Sequence, residues 1–251
     1  MTDDLRAIVD EAYAVFSAYE IGGRLTVCNC NVCMHLDTER LLASTPLREL
    51  PSSLLAEYTN SAHGYDDGDI ARELRYFLPR YFELIANGDP PDHMGMLDLC
   101  LSRLGEASYR THWSLQEADV IDRFFDAFLI ACTSDLEMVE WPVGWKPAFR
   151  IIDALTLALT AGADVERLIA ALERAPDPGA GVHLASLRDH VEPSGTVHVL
   201  GSAYLETERF RDTRTRLGAW LISVPVRARI EAAFYAVEDP RVQEFLSKSA
   251  W

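Results

Sequence analysis

The chain has 251 residues, 49% of them hydrophobic, and a formal net charge of −16. That apolar content is enough for a large core and argues against extended disorder. The charge repels phosphate backbones and anionic membrane surfaces, and no Lys/Arg cluster offsets it, so the expectation is no nucleic-acid and no membrane binding.

The opening residues, MTDDLRAIVDEAYAVF, are acidic where a secretory leader is basic, and no apolar run approaches the length of a membrane span. A cytoplasmic protein with reduced thiols is expected. Leu5, Ile8, Val9, Ala12, Phe16 and Tyr19 keep helical spacing, with Asp3 or Asp4 as the cap and Gly22-Gly23 as the stop. The segment CNCNVCMH, residues 28–35, follows directly and so belongs to a connection. Leu36 to Ala43 reads as a short helix, and Pro46 and Pro51 suit first helical turns. After the polar loop of residues 61–69, Leu74, Phe77, Leu78, Tyr81, Phe82 and Ile85 form a strong stripe. Pro79 lies inside it, so either a kink or a junction of two helices is expected.

Met94 to Leu104 reads as another helix, and Ser114 with Glu117 has capping-box spacing before Ile121, Phe124, Phe125, Phe128, Leu129 and Cys132. Trp141 to Pro147 reads as a turn-rich hinge. It divides the chain into an N-terminal helical half, 1–141, and a C-terminal helical half, 142–251, packed as one unit. Beyond it come a helix from Ile151 closed by Gly162, and a second capped by Asp164. A linker at residues 175–181 leads to a short helix at 182–192. Pro193 to Leu205 has no evident partner strand and is read as extended loop. Helices follow around Arg209 to Ile222, from Pro225, and from Pro240 with Asp239 as its cap. The fold class is all-α: about ten helices in an irregular multi-helix bundle or a curved stack of helical pairs, with no fixed-period repeat.

Chemistry concentrates in Cys28, Cys30, Cys33 and His35. A tight turn aims the sulfurs of a C-x-x-C pair at one ion, and thiolates favour zinc or another soft metal. These four residues are the candidate metal ligands, with Zn(2+) as the candidate cofactor. Cys100, Cys132, His63 and His93 are reserve ligands. Two other readings stand beside this one: small buried hydrophobes with a surface histidine, and a redox dithiol at Cys30 and Cys33.

The other polar groups are weaker. His63, Asp66, Asp67 and Asp69 crowd one loop without calcium-loop spacing, and Asp135, Glu137 and Glu140 suit an acidic surface. His183 and His190, seven apart, lack an HExxH context. Phosphate-loop, dinucleotide, nucleophile-elbow and deaminase motifs are absent from the sequence.

Cys28, Cys30 and Cys33, then LLASTPLREL at 41–50, Leu54-Leu55 with Tyr58, and LRYFLPRYFEL at 74–84, together resemble a family of uncharacterised bacterial helical proteins. The resemblance covers residues 28–86. It implies a bacterial, helical, cytoplasmic protein and transfers no catalytic role. Relatives pair two adjacent cysteines with a third, whereas here Asn29 separates Cys28 from Cys30.

The functional expectation is therefore a non-enzymatic helical interaction module, stabilised by one structural zinc and facing a protein partner. Its charge suits a basic partner, in the manner of an immunity protein or antitoxin. The alternative is a metal- or thiol-dependent enzyme using residues 28–33.

Overall fold

The computed structural model describes residues 1–28, 30, 33–63 and 67–249. The fold is all-α: an irregular bundle with thirteen α-helices among the described residues, two separate two-stranded hairpins and no closed sheet. Among the described residues no helix is long and apolar enough to cross a membrane. The chain forms two compact units, residues 1–125 with 157–163, and residues 126–156 with 164–251. The expected division at 141/142 falls inside the second unit, at the turn of its first hairpin.

In the first unit, α1 (Asp3–Val15) is capped by Thr2, whose Oγ1 accepts from Leu5 N, and buries Leu5, Val9 and Ala12. It stops before Gly22-Gly23, and Phe16 closes it. Then come α2 (Leu36–Ser44), a 3-10 turn at Leu47–Glu49 led by Pro46, and α3 (Ser52–Asn60) led by Pro51. One helix, α4 (Asp67–Ala86), runs through Pro79, which removes the two-helix option. Its Phe82 stacks on Phe124, ring centroids 3.8 Å apart, at the centre of this core.

The single helix expected over 94–104 is broken into a 3-10 turn, Leu97–Leu99, and α5 (Ser102–Glu106). Asp92 explains this. Its carboxylate accepts from Met94 N and Met96 N, and Gly95 adopts φ +67°, so the side chain captures amides that a helix needs. α6 (Tyr109–His112) precedes α7 (Leu115–Cys132), whose capping box forms as expected: Glu117 N donates to Ser114 Oγ and Ser114 N to Glu117 Oε2.

The second unit holds the end of α7 and the start of α8 (Ile151–Thr160). The expected hinge is a hairpin, β1 (Met138–Trp141) with β2 (Gly144–Pro147), turning at Pro142-Val143. Next come α9 (Val165–Arg174), capped by Asp164, and α10 (Gly179–Arg188), which starts inside the expected linker. The expected extended loop is a second hairpin. β3 (Val191–Ser194) pairs with β4 (Val197–Leu200) around Gly195, φ +61°, so β4 has the partner its backbone groups need. Pro193 disguised that partner, because proline is tolerated only at such an edge. α11 (Arg211–Leu221), α12 (Val224–Ala236) and α13 (Pro240–Ser249) complete the unit. α10 is its core helix, and Gly181 lets α12 pass close: a Cβ there would lie 2.5 Å from Ala233 Cβ.

Candidate metal centre

The cysteine segment lies in the connection between α1 and α2, held from below by two carboxylates. Leu25 N donates to Glu39 Oε1 at 2.6 Å, and Thr26 N and Oγ1 donate to Glu73 Oε1 at 2.7 and 2.9 Å. Tyr58 OH donates to Glu73 Oε2 at 3.0 Å. Glu39 and Glu73 are each only 1% exposed. A carboxylate at that depth persists only when its lone pairs are satisfied, and here donors from the loop and the Tyr58 hydroxyl supply the bonds. Burial raises the pKa of Glu73, against the opposing effects of the Thr26 and Tyr58 donors and the positive charge of Arg103. Arg103 sits over the Tyr58 ring and donates to Ser61 O. One residue further on, Ala62 O accepts from Cys28 N at 2.6 Å. Downstream, Met34 is fully buried and fixes the other end.

Between these anchors the sulfurs of Cys28, Cys30 and Cys33 all lie within 4.8 Å of one another. Cys28 and Cys33 are partly buried and Cys30 is exposed; none of the five cysteines is in a disulfide. Sulfurs sharing a tetrahedral zinc at a Zn–S distance of about 2.3 Å stand ~3.8 Å apart, whereas a disulfide needs about 2.05 Å. Three free sulfurs converging within 4.8 Å of one another can serve as an ion's donor set. The Cys28 thiol is displaced upward. Its largest single influence, a hydrogen bond with the Cys30 backbone, lowers it, but the Cys30 and Cys33 side chains and burial together outweigh that. Crowded thiols resist becoming crowded thiolates unless a cation joins them.

His35 is not brought into this group. It is the N-cap of α2, where its Nδ1 accepts from Asp37 N at 3.3 Å, and its side chain is exposed. Among the described residues no histidine or carboxylate joins the three sulfurs. Asn29, Asn31 and Val32 lie outside the described residues.

The reserve ligands are occupied elsewhere. Cys100 is buried, its Sγ donates to Met96 O, and burial pushes its thiol up to about 12. Cys132 is buried in the second unit, and burial raises its thiol as well. His63 Nε2 lies 2.8 Å from Glu106 Oε2, and His93 Nε2 lies 3.7 Å from Glu57 Oε1. Of the acidic loop, Asp66 and the side chains of Asp67 and Asp69 lie outside the described residues. Asp135 turns its carboxylate back on Glu137 N, a local turn rather than a site. His183 is 0% exposed; its Nε2–H donates to Asp135 O at 2.6 Å, and burial lowers its pKa, so it is a neutral core residue. His190 lines a separate cleft of the second unit.

Glu39, Glu73, Tyr58 and Arg103 are not among the candidates read from the sequence. A signal was present. Glu73 stands on the buried stripe of α4 with Ile70, Leu74 and Phe77, and Glu39 is three residues from buried Leu42. A carboxylate at a core position of an amphipathic helix demands internal donors.

Comparison with protein-family models, with curated proteins and with solved structures finds no match to this chain.

Proposed function

We propose that this chain is a helical protein that holds one soft metal ion, zinc in the first instance, on the thiolates of Cys28, Cys30 and Cys33. The observation carrying this reading is the convergence of three sulfurs to within 4.8 Å in a loop pinned by buried carboxylates. Bound there, the ion supplies a cross-link within the α1–α2 connection. The role is structural, as part of an interaction module. The net charge of −16 favours a basic protein partner and a salt-sensitive association rate. The resemblance of residues 28–86 to uncharacterised bacterial helical proteins accords with this and with a reducing cytoplasm. A metal- or thiol-dependent enzyme finds support only in the exposure of Cys30.

The test is metal content per chain, measured by elemental mass spectrometry on protein purified without added metal, alongside a native thiol count. Near-stoichiometric zinc, lost in Cys30→Ser and Cys33→Ser, is the expected result. A parallel His35→Ala variant asks whether that ring leaves its capping position to become a fourth ligand. Metal-free protein with three reactive thiols in the loop overturns the proposal.

A further inference from the structure

The second unit has a cleft of its own, about 250 Å³ in volume. One wall is a face of the β1–β2 hairpin. Strand alternation turns Met138 into the core and leaves Val139 and Trp141 on the cleft side, with Lys146 directly across from Val139. The other wall carries Arg150, just before α8, and Asp189 and His190, just past α10.

Trp141 is 55% exposed and Val143, at the hairpin turn, 70% exposed. Trp145, on the opposite face, lies against the Arg241 guanidinium, but among the described residues no ring or cation packs on Trp141. A large indole left uncovered beside an open cleft is a surface suited to a flat apolar ligand. The charges set the ligand's sign. In a chain of net charge −16, this cleft gathers Lys146 and Arg150. Lys146 Nζ lies 3.7 Å from Asp189, and Arg150 Nη2 lies 3.3 Å from Asp153, each short of a tight bidentate pair. Each cation has one carboxylate neighbour and a single loose contact to it, so the ammonium and guanidinium keep further N–H donors for a ligand, and this balanced charge suits a monoanion better than a phosphate dianion. The volume admits one or two rings.

We propose that this cleft binds a small aromatic carboxylate, its ring on Trp141 between Val139 and Val143 and its carboxylate between Lys146 and Arg150. His190 stands beside the carboxylate position as a further polar contact. The cleft shares no residue with the cysteine loop, so its test and that of the metal reading are independent.

The experiment is an amide and indole NMR titration of the full chain with phenylacetate and, separately, phenylacetamide. A ligand of this size binding a pre-formed cleft has a Kd near ~1 mM. Saturable shifts at Val139, Trp141 and Lys146 are expected, with the neutral amide at least about tenfold weaker. Trp141→Ala and Lys146→Ala, both at solvent-accessible positions, each weaken phenylacetate about tenfold while the remaining spectrum is preserved. The proposal is overturned if no cleft resonance shifts at ~10 mM phenylacetate. Equal binding of acid and amide overturns it too, as do shifts that survive when Trp141→Ala and Lys146→Ala are combined in one chain.

Discussion

Replacing Glu73 tests the frame beneath the cysteines most directly. Its oxygens accept from Thr26 N at 2.7 Å, Thr26 Oγ1 at 2.9 Å and Tyr58 OH at 3.0 Å. Glu73→Ala orphans all three donors, at ~1–3 kcal/mol for each that stays dry. It also takes a nearby carboxylate from the Arg103 charge. Relief of the carboxylate's desolvation offsets part of this, and Thr26 is only partly buried, so water recovers some of the rest. The net loss is about 3–5 kcal/mol. Glu73→Gln keeps the shape and one carbonyl acceptor, and loses about 1–2 kcal/mol. The Gln variant also has a pH signature. Burial raises the folded pKa of Glu73, so the folded state binds that proton more tightly than the unfolded chain. The associated stability is complete below the unfolded value of about 4.3 and is lost as pH rises through the folded value. Glutamine has no proton to lose, so its penalty relative to the native chain is largest in acid and shrinks toward neutrality. Urea denaturation followed by far-UV circular dichroism, from about pH 4 to about pH 7.5, reads both effects. A loss under ~1 kcal/mol in Glu73→Ala, or a Gln penalty that grows with pH, refutes the reasoning.

Other expectations follow from packing and burial. In native, metal-stripped protein a thiol reagent should titrate Cys28, Cys30 and Cys33 quickly, with Cys100 and Cys132 reacting only on unfolding; five equal rates would contradict the burial of the last two. Gly181→Ala places a methyl 2.5 Å from Ala233 Cβ and 2.9 Å from Arg229 O, and should cost ~1–3 kcal/mol in a denaturant midpoint. Gly23→Ala, with nothing within 4 Å of its Cβ, should change stability by less than about 0.5 kcal/mol. Ser114→Ala removes the acceptor for Glu117 N and should cost ~1 kcal/mol by the same assay.

The sequence showed what local periodicity and local caps encode. The stripes of α1, α4 and α7, the capping box at Ser114 and Glu117, and the Asp164 and Asp239 caps were all legible, because each is settled within a few residues. The two hairpins were not. β1–β2 sits behind Pro142 and Pro147, and β3 contains Pro193, so proline masked strands that pair through short turns. A clue remained in Ser194-Gly195-Thr196, where glycine permits the positive φ of a two-residue turn. At the candidate metal centre, cysteine spacing pointed to the three sulfurs that the fold brings together. It did not show that His35 serves as a cap, because a histidine near a helix start suits either role. The Glu73 contacts were beyond local reading as well, since Thr26 and Glu73 are 47 residues apart.

The anchoring pattern also limits what an ion bound at the cysteines would do for stability. Leu25, Thr26 and Cys28 are tied to Glu39, Glu73 and Ala62, and Met34 is buried at the far end. The core built on Leu5, Phe77, Phe82 and Phe124 includes none of the three sulfurs. An ion at Cys28, Cys30 and Cys33 therefore fastens the stretch between two existing anchors rather than the helices themselves. Chelation should leave the far-UV spectrum unchanged while opening the chain between Cys28 and Met34 to protease, with the first cuts located by mass spectrometry. Opening of this kind is sub-global, and its rate follows the population of the open loop. Cleavage spread over all helices after chelation, with loss of helical signal, would mean that the ion carries the whole fold and that the carboxylate anchors are secondary.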